Sequence, residues 1–277
     1  MRWVLQGWSA FLVALMTFFV GSIFFLIAAV AVSSLARRWL GTWLPEGWTT
    51  SWYSSAWKEF QLGSVLLVTA EVVIAVVVAS VCLGLPAAYA LARREFAGKR
   101  VIMLVFLLPL MVPPMTYGIP LATVMYKVGL AGTIWGVILA NLIPAVPFVI
   151  FVMTPFIEQI DPNLESAARV FGAGTARMLW YVLVPLLAPG ILAAALLVLV
   201  RTMAMFELTF LVAGSDSQTL VVALYYAVFA AGVRAPQSVD AMAMVYMMVT
   251  LIWLAIALRF VNPTQLVSRV KEHTTNT

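Results

Sequence analysis

The sequence predicts an all-α polytopic membrane protein with about six transmembrane helices and both termini in the cytoplasm. Three observations lead there. The chain is 64% hydrophobic and 10% charged with a mean hydropathy of +1.05, against roughly 45–50% apolar and about 25% charged residues in soluble domains. A water-soluble globule of 277 residues has too little interior to hide so much apolar surface. The apolar residues are also gathered in runs that meet or exceed the about 20 residues needed to cross a hydrocarbon core. Finally, those runs lack the polar alternation of barrel strands and are too long for them, so helices are the expected spans.

Six runs qualify: Trp8–Ala36, Leu62–Ala92, Val101–Tyr126, Thr133–Ile157, Leu186–Val212 and Val239–Phe260. The first is expected to be retained, because its apolar stretch Phe11–Leu35 is longer than the usual signal-peptide core. Orientation follows the basic residues. With the amino terminus inside, ten lie in the cytoplasm (Arg2, Arg93, Arg94, Lys99, Arg100, Arg169, Arg177, Arg259, Arg269, Lys271) and five outside (Arg37, Arg38, Lys58, Lys127, Arg234). Arg37 and Arg38 run against that bias. The net charge of +5 is thereby assigned to loops, not to nucleic acid. Cys82 and the 14 methionines read as packing residues. The single histidine, His273, leaves no metal or histidine acid–base chemistry.

Two connecting segments carry more than a turn. The outer one, Arg37 to Gln61, holds Trp39, Trp43, Trp48, Trp52, Tyr53 and Trp57. It reads as an interfacial aromatic belt around a short re-entrant or surface helix, or as a partner-docking face. The inner one runs from Glu158 to Pro185. Asp161-Pro162 supplies an oxygen cap and a first-turn proline. Leu164, Ala167, Ala168 and Phe171 then share one apolar stripe, and Glu165 and Arg169 stand four apart on the polar face. Gly172 is the expected stop; Gly174-Thr175 restarts a helix through Arg177 to Val184, which Pro185 ends or kinks. Such a helix lies on the bilayer or docks a protein. The acidic residues Glu158, Asp161 and Glu165 oppose anionic lipid and favour a protein.

The run Ser166-Ala167-Ala168-Arg169-Val170-Phe171-Gly172, nine residues, then Val182-Leu183-Val184-Pro185 resembles the EAA-loop signature of permease subunits of binding-protein-dependent ABC importers. The spacing agrees throughout; Ser166 stands where that signature has glutamate, with Glu165 just before it. The similarity extends over Leu62–Phe260, a five-helix core of the MetI-like superfamily with one span in front. Within it, Leu44-Pro45-Glu46-Gly47-Trp48, Gly84-Leu85-Pro86-Ala87-Ala88-Tyr89 and Leu107-Leu108-Pro109-Leu110-Met111-Val112-Pro113-Pro114 resemble the spermidine/putrescine-type group. The resemblance implies a bacterial-type inner-membrane subunit moving a small solute by alternating access. The implied solute is a polyamine-like cation, an opine, an aminophosphonate or a related compound. The implied partners are a second, non-identical permease, two ATP-binding subunits and an extracytoplasmic solute-binding protein. ATP and Mg would be used by the ATPase, with no cofactor on this chain and no enzymatic role for it. The sequence lacks the phosphate-binding Gly-x-x-x-x-Gly-Lys-[Ser/Thr] loop. The implied ATPase-coupling residues are Leu164, Glu165, Ser166, Ala167, Ala168, Arg169, Phe171, Gly172 and Pro185.

Glu71, Arg201 and Glu207 fall at membrane depth, where a charge costs about 2.5–3.5 kcal/mol. Such groups face a bundle interior or a solute pathway. Arg201 and Glu207 are about 240° apart if one helix carries both, so an interhelical pair, with Glu71 or with a neighbouring subunit, or a solute contact is expected. Asn141 reads as interhelical glue, and Pro109, Pro113, Pro114 and Pro120 make the third span irregular. The chain thus divides into residues 1–61 (first span and aromatic segment), 62–260 (permease core with coupling loop 158–185) and a cytoplasmic tail, 261–277. The rival class, a stand-alone secondary transporter or channel, gives the capped inner loop no purpose. An intramembrane enzyme lacks its catalytic groups.

Overall fold

The computed structural model describes residues 2–39, 42–229 and 234–260. The expected tail, 261–277, and His273 lie outside them. Among the described residues five helices are long and apolar enough to span a membrane, or six with one bent pair counted as a span. The chain forms two compact units, one made of the chain up to Gly63 with Leu224–Met248, the other of Ser64–Ala223 with the chain from Val249 onward.

In the first unit, α1 (Arg2–Leu35) is 34 residues long. None of its most apolar window is buried within the protein, so its outward side chains need lipid or another chain. At its end the backbone doubles back: Arg37 N–H donates to Gly47 O, Glu46 N–H to Arg38 O and Thr49 N–H to Leu35 O. The short helix expected in the aromatic segment is α2 (Ser51–Glu59). Trp52 Nε1 donates to Ala36 O at 2.8 Å, and the Ser34 and Tyr53 hydroxyls meet at 2.8 Å, tying α2 to α1.

The second unit is built around α6 (Ile134–Glu158), the most buried span. α3 (Leu62–Arg93) approaches it so closely that a Cβ on Gly84 would sit 2.7 Å from Val149 Cγ1. Val76, Val149, Ile150, Met153 and Ile157 fill the core between these and neighbouring helices. The expected third span is not one helix. α4 (Lys99–Met111) and α5 (Pro114–Lys127) meet at 100°. Pro114 forces the residue before it out of the helical region, and Val112 and Pro113 are both extended, with ψ 133.

The expected fifth span departs from the sequence reading at both ends. α8 (Thr175–Met178) and α9 (Val184–Ala204) join through a π turn, Leu179–Leu183, into one 30-residue helix. Pro185 therefore does not end the inner helix. It has no N–H for the carbonyl four residues back and its ring crowds that carbonyl; the wider π turn sits where this conflict falls. At the other end the helix stops at Ala204, and α10 (Glu207–Val212) begins after Met205 turns extended, ψ 94. The one-helix angle between Arg201 and Glu207 thus does not apply.

Irregular backbone here is satisfied internally: Gly132 N–H donates to Val212 O, Gly214 N–H to Ser217 Oγ, and Leu220 N–H to Thr69 Oγ1. That satisfaction is what a lipid environment requires of non-helical chain. α11 (Leu220–Phe229), ten residues and too short to span, has no counterpart among the six predicted runs. α12 (Pro236–Phe260) matches the sixth.

Candidate functional site: the capped inner helix and the charged break

The inner helix α7 (Pro162–Val170) forms where its cap signals predict. The Asp161 side chain accepts from Asn163 N–H at 2.9 Å, with Pro162 at the first helical position. At the other end Gly172, φ +80, lets its own N–H reach Arg169 O and that of Ala173 reach Ala168 O. This paired closure needs a left-handed residue, which a side chain disfavours by about 1–2 kcal/mol. Nothing surrounds the position where a Gly172 Cβ would stand, so the backbone alone calls for glycine.

α7 has two faces with different duties. On the inward face Glu165 is buried, and its carboxylate accepts from Arg93 Nε and from the Tyr89 hydroxyl, each at 2.7 Å. Arg93 also donates to Ile160 O at 2.6 Å, gripping the residue just before the cap. The expected Glu165–Arg169 pair is not made. Arg169 stays exposed within electrostatic range of Tyr89, because the α3 terminus offers Glu165 two donors in a drier place. Ala168 likewise leaves the predicted outer stripe and packs against the core.

The outward face carries Leu164, 46% exposed, with Ala167 and Ser166, and ends at Val170 and Phe171, 86% and 91% exposed. Ser166 Oγ only bonds back to Pro162 O. One residue on a helix turns 100°, so Glu165 is aimed at the end of α3 while Ser166 stands on the outward face. Sequence reasoning missed Tyr89, Arg93 and Val170. Arg93 was visible only as a cytoplasmic positive charge; Val170 was visible as the apolar neighbour of Phe171.

The charges at membrane depth gather differently from expectation. Arg201 near the end of α9 stands over the Phe148 ring at 4.8 Å, beside a small cavity lined by Asn141, Phe148 and Thr202. Glu207 opens α10 on the far side of the break. Glu71 is exposed on α3 and forms no ion pair with either among the described residues. Asn141 does act as glue, its Nδ2 donating to Val137 O and to Thr209 Oγ1 on α10. Tyr117 on α5 was not foreseen. Its hydroxyl is buried without a hydrogen-bond partner and feels the charges of both Arg201 and Glu207.

Residues 80–272 match the family described as binding-protein-dependent transport system inner membrane component. The chain is 33% identical over 153 residues to the diacetylchitobiose uptake system permease protein NgcG of Streptomyces coelicolor, covering 55% of this chain and 51% of that one. It is 34% identical over 160 residues to the trehalose transport system permease protein SugB of Mycobacterium tuberculosis, covering 58% of each. The matched stretch thus spans a little over half the length of these relatives. A putative ABC transporter permease protein of Streptomyces antibioticus is 30% identical over 191 residues, 69% of this chain and 83% of its own. The fold is shared with a chain of a bacterial ABC transporter involved in the import of the acidic polysaccharide alginate, at a TM-score of 0.76 and 20% identity over 90% of this chain and 95% of that one. The all-helical, multi-pass chain belongs to the family of inner membrane components of binding-protein-dependent transport systems.

Proposed function

We propose that the chain is a permease subunit of an ABC-type importer, driven through α7 by an ATPase that it does not itself contain. The observation that carries this reading is the division of α7 into two faces. One is locked to α3 by Glu165, Arg93 and Tyr89, and the other leaves Leu164, Val170 and Phe171 bare. A stroke delivered to the bare face reaches α3 through the ion pair. It reaches α9 through the single helix that runs from Thr175 to Ala204. Gly172, Ser166, Ala167, Ala168 and Arg169 shape or flank the lever, and Pro185 marks its junction with the span. ATP and Mg belong to the ATPase pair, and a second permease and an extracytoplasmic binding protein complete the assembly. A complex of alginate transporter and substrate-bound periplasmic protein shares this fold, with a TM-score of 0.69. Co-purification tests the reading: the tagged full-length chain is expected to bring down an ATP-hydrolysing subunit and a second permease. Recovery as a lone polypeptide under mild extraction contradicts it.

The solute is proposed to be a small hydroxyl-rich molecule. The polyamine-type solute implied by the resemblance has no counterpart in the names of the relatives, which specify diacetylchitobiose and trehalose and also molybdenum and sulfate. Arg201 and Glu207 flank the break in the fifth span, one a donor and the other an acceptor. A neutral polyol satisfies both, since each hydroxyl accepts and donates. Glu71, on a different helix, is kept as a third pathway candidate. Arg201→Gln and Glu207→Gln are each expected to lower uptake by about 10-fold or more, the loss of one charge-assisted hydrogen bond, with the complex still assembled. Unchanged uptake in both variants removes these charges from the pathway.

A further inference from the structure

The pair Arg37-Arg38 is left unexplained by the transport reading, since it opposes the positive-inside bias. Its surroundings account for it. Both side chains are exposed immediately past the apolar stretch Phe11–Leu35, at the depth where lipid headgroups lie. Among the described residues no carboxylate lies within ion-pair distance of either. Two acids of this unit are committed elsewhere, Glu59 to Arg234 and Ser238 and Asp240 to Ser33. Glu46, whose N–H donates to Arg38 O, is exposed and its carboxylate is not within ion-pair distance of either arginine.

Two cavities meet at Trp39. The first, about 550 Å³, has Ser33, Arg37, Arg38, Trp39, Trp52 and Arg234 in its lining. The second, about 560 Å³, runs along α1 and is lined by Phe25, Ala28, Val32, Trp39 and Trp43. Trp39 is held between them by its Nε1, which donates to Thr42 O at 2.7 Å, while the Thr42 hydroxyl donates to Leu44 O. A basic hollow thus adjoins an apolar furrow along a span, with Trp39 lining both.

We propose that the carboxyl-terminal end of α1 and the loop after it bind one anionic phospholipid, its phosphate between Arg37 and Arg38 and an acyl chain along Phe25, Ala28 and Val32. Free phosphate satisfies the arginines but leaves the furrow empty. A second protein chain fills the furrow but satisfies both guanidinium groups only if it brings carboxylates of its own to this end of α1. The lipid matches both halves at once, and this site is independent of the proposed transport role.

Native mass spectrometry of the full-length protein, extracted from bilayers of mixed phosphatidylethanolamine and phosphatidylglycerol, tests the proposal. Wild type is expected to retain phosphatidylglycerol preferentially, and excess inorganic phosphate is expected not to displace it. Arg37→Gln with Arg38→Gln is expected to weaken that retention by about 30-fold, from two basic contributions near the surface. Arg37→Lys with Arg38→Lys is expected to keep most of it. Equal retention of the two lipids by wild type, displacement by phosphate, or glutamine and lysine variants that behave alike would each overturn the assignment. The wild-type comparison decides alone should the glutamine variant fail to fold.

Discussion

Phe171→Ala is expected to abolish uptake while leaving the amount of protein in the membrane unchanged. The ring is 91% exposed and touches no core of its own chain, so its removal opens no cavity. Surface truncations of this kind alter stability by no more than about 0.5 kcal/mol. On a partner the same ring is a different object. A large aromatic at the end of an exposed apolar face is the type of residue whose truncation costs about 2 kcal/mol or more in an interface, roughly 30-fold in occupancy of the docked state. Uptake of labelled solute against membrane abundance separates the two. Normal uptake in Phe171→Ala, or a loss explained by missing protein, would count against docking through this edge.

The second large effect concerns the inward face. Glu165→Ala leaves the Arg93 guanidinium nearly buried without its carboxylate and strips the Tyr89 hydroxyl of its acceptor. Removing one member of a buried pair costs about 3–5 kcal/mol. That penalty falls on the attachment of α7, not on the distant core. Hydrogen exchange over residues 161–173 is expected to rise steeply while amides of α6 stay protected, and uptake is expected to fall with the lever cut loose. Replacing both partners by methionine, Glu165→Met with Arg93→Met, restores much of the local protection, because neither charge is then orphaned. Exchange in α7 that is indifferent to Glu165→Ala would show that the pair does not hold the helix.

What the sequence made legible is local chemistry. The Asp161-Pro162 start and the Gly172 stop act within a few residues, and both stand in the structure where the cap rules put them. The apolar runs are equally local, so the first, second, fourth and sixth spans emerge with small differences at their ends, while the third is broken and the fifth is displaced toward the inner loop. Partners are another matter. Arg169, four residues on, was the nearest cation to Glu165 in sequence; the true one, Arg93, is 72 residues away and wins through tertiary placement. The prolines of the third span announced irregularity, and Pro113-Pro114 delivers a right-angled turn whose size no spacing reveals. The break at Met205-Phe206 carries neither glycine nor proline. Methionine, alanine and phenylalanine there read as unbroken helix, which hid the separation of Arg201 from Glu207. The orphaned Tyr117 hydroxyl, which feels both charges, was invisible for the same reason.

In the proposed role, force enters this chain from outside, through the bare face of α7. Reconstitution measures it most directly. The purified chain and its paired permease are placed in vesicles with the solute-binding protein, with and without the ATPase, and accumulation is followed on adding ATP. The account predicts accumulation only when ATPase and ATP are both present, and none when the ATPase meets the Phe171→Ala chain. Concentration of solute by vesicles that hold no ATPase would contradict it.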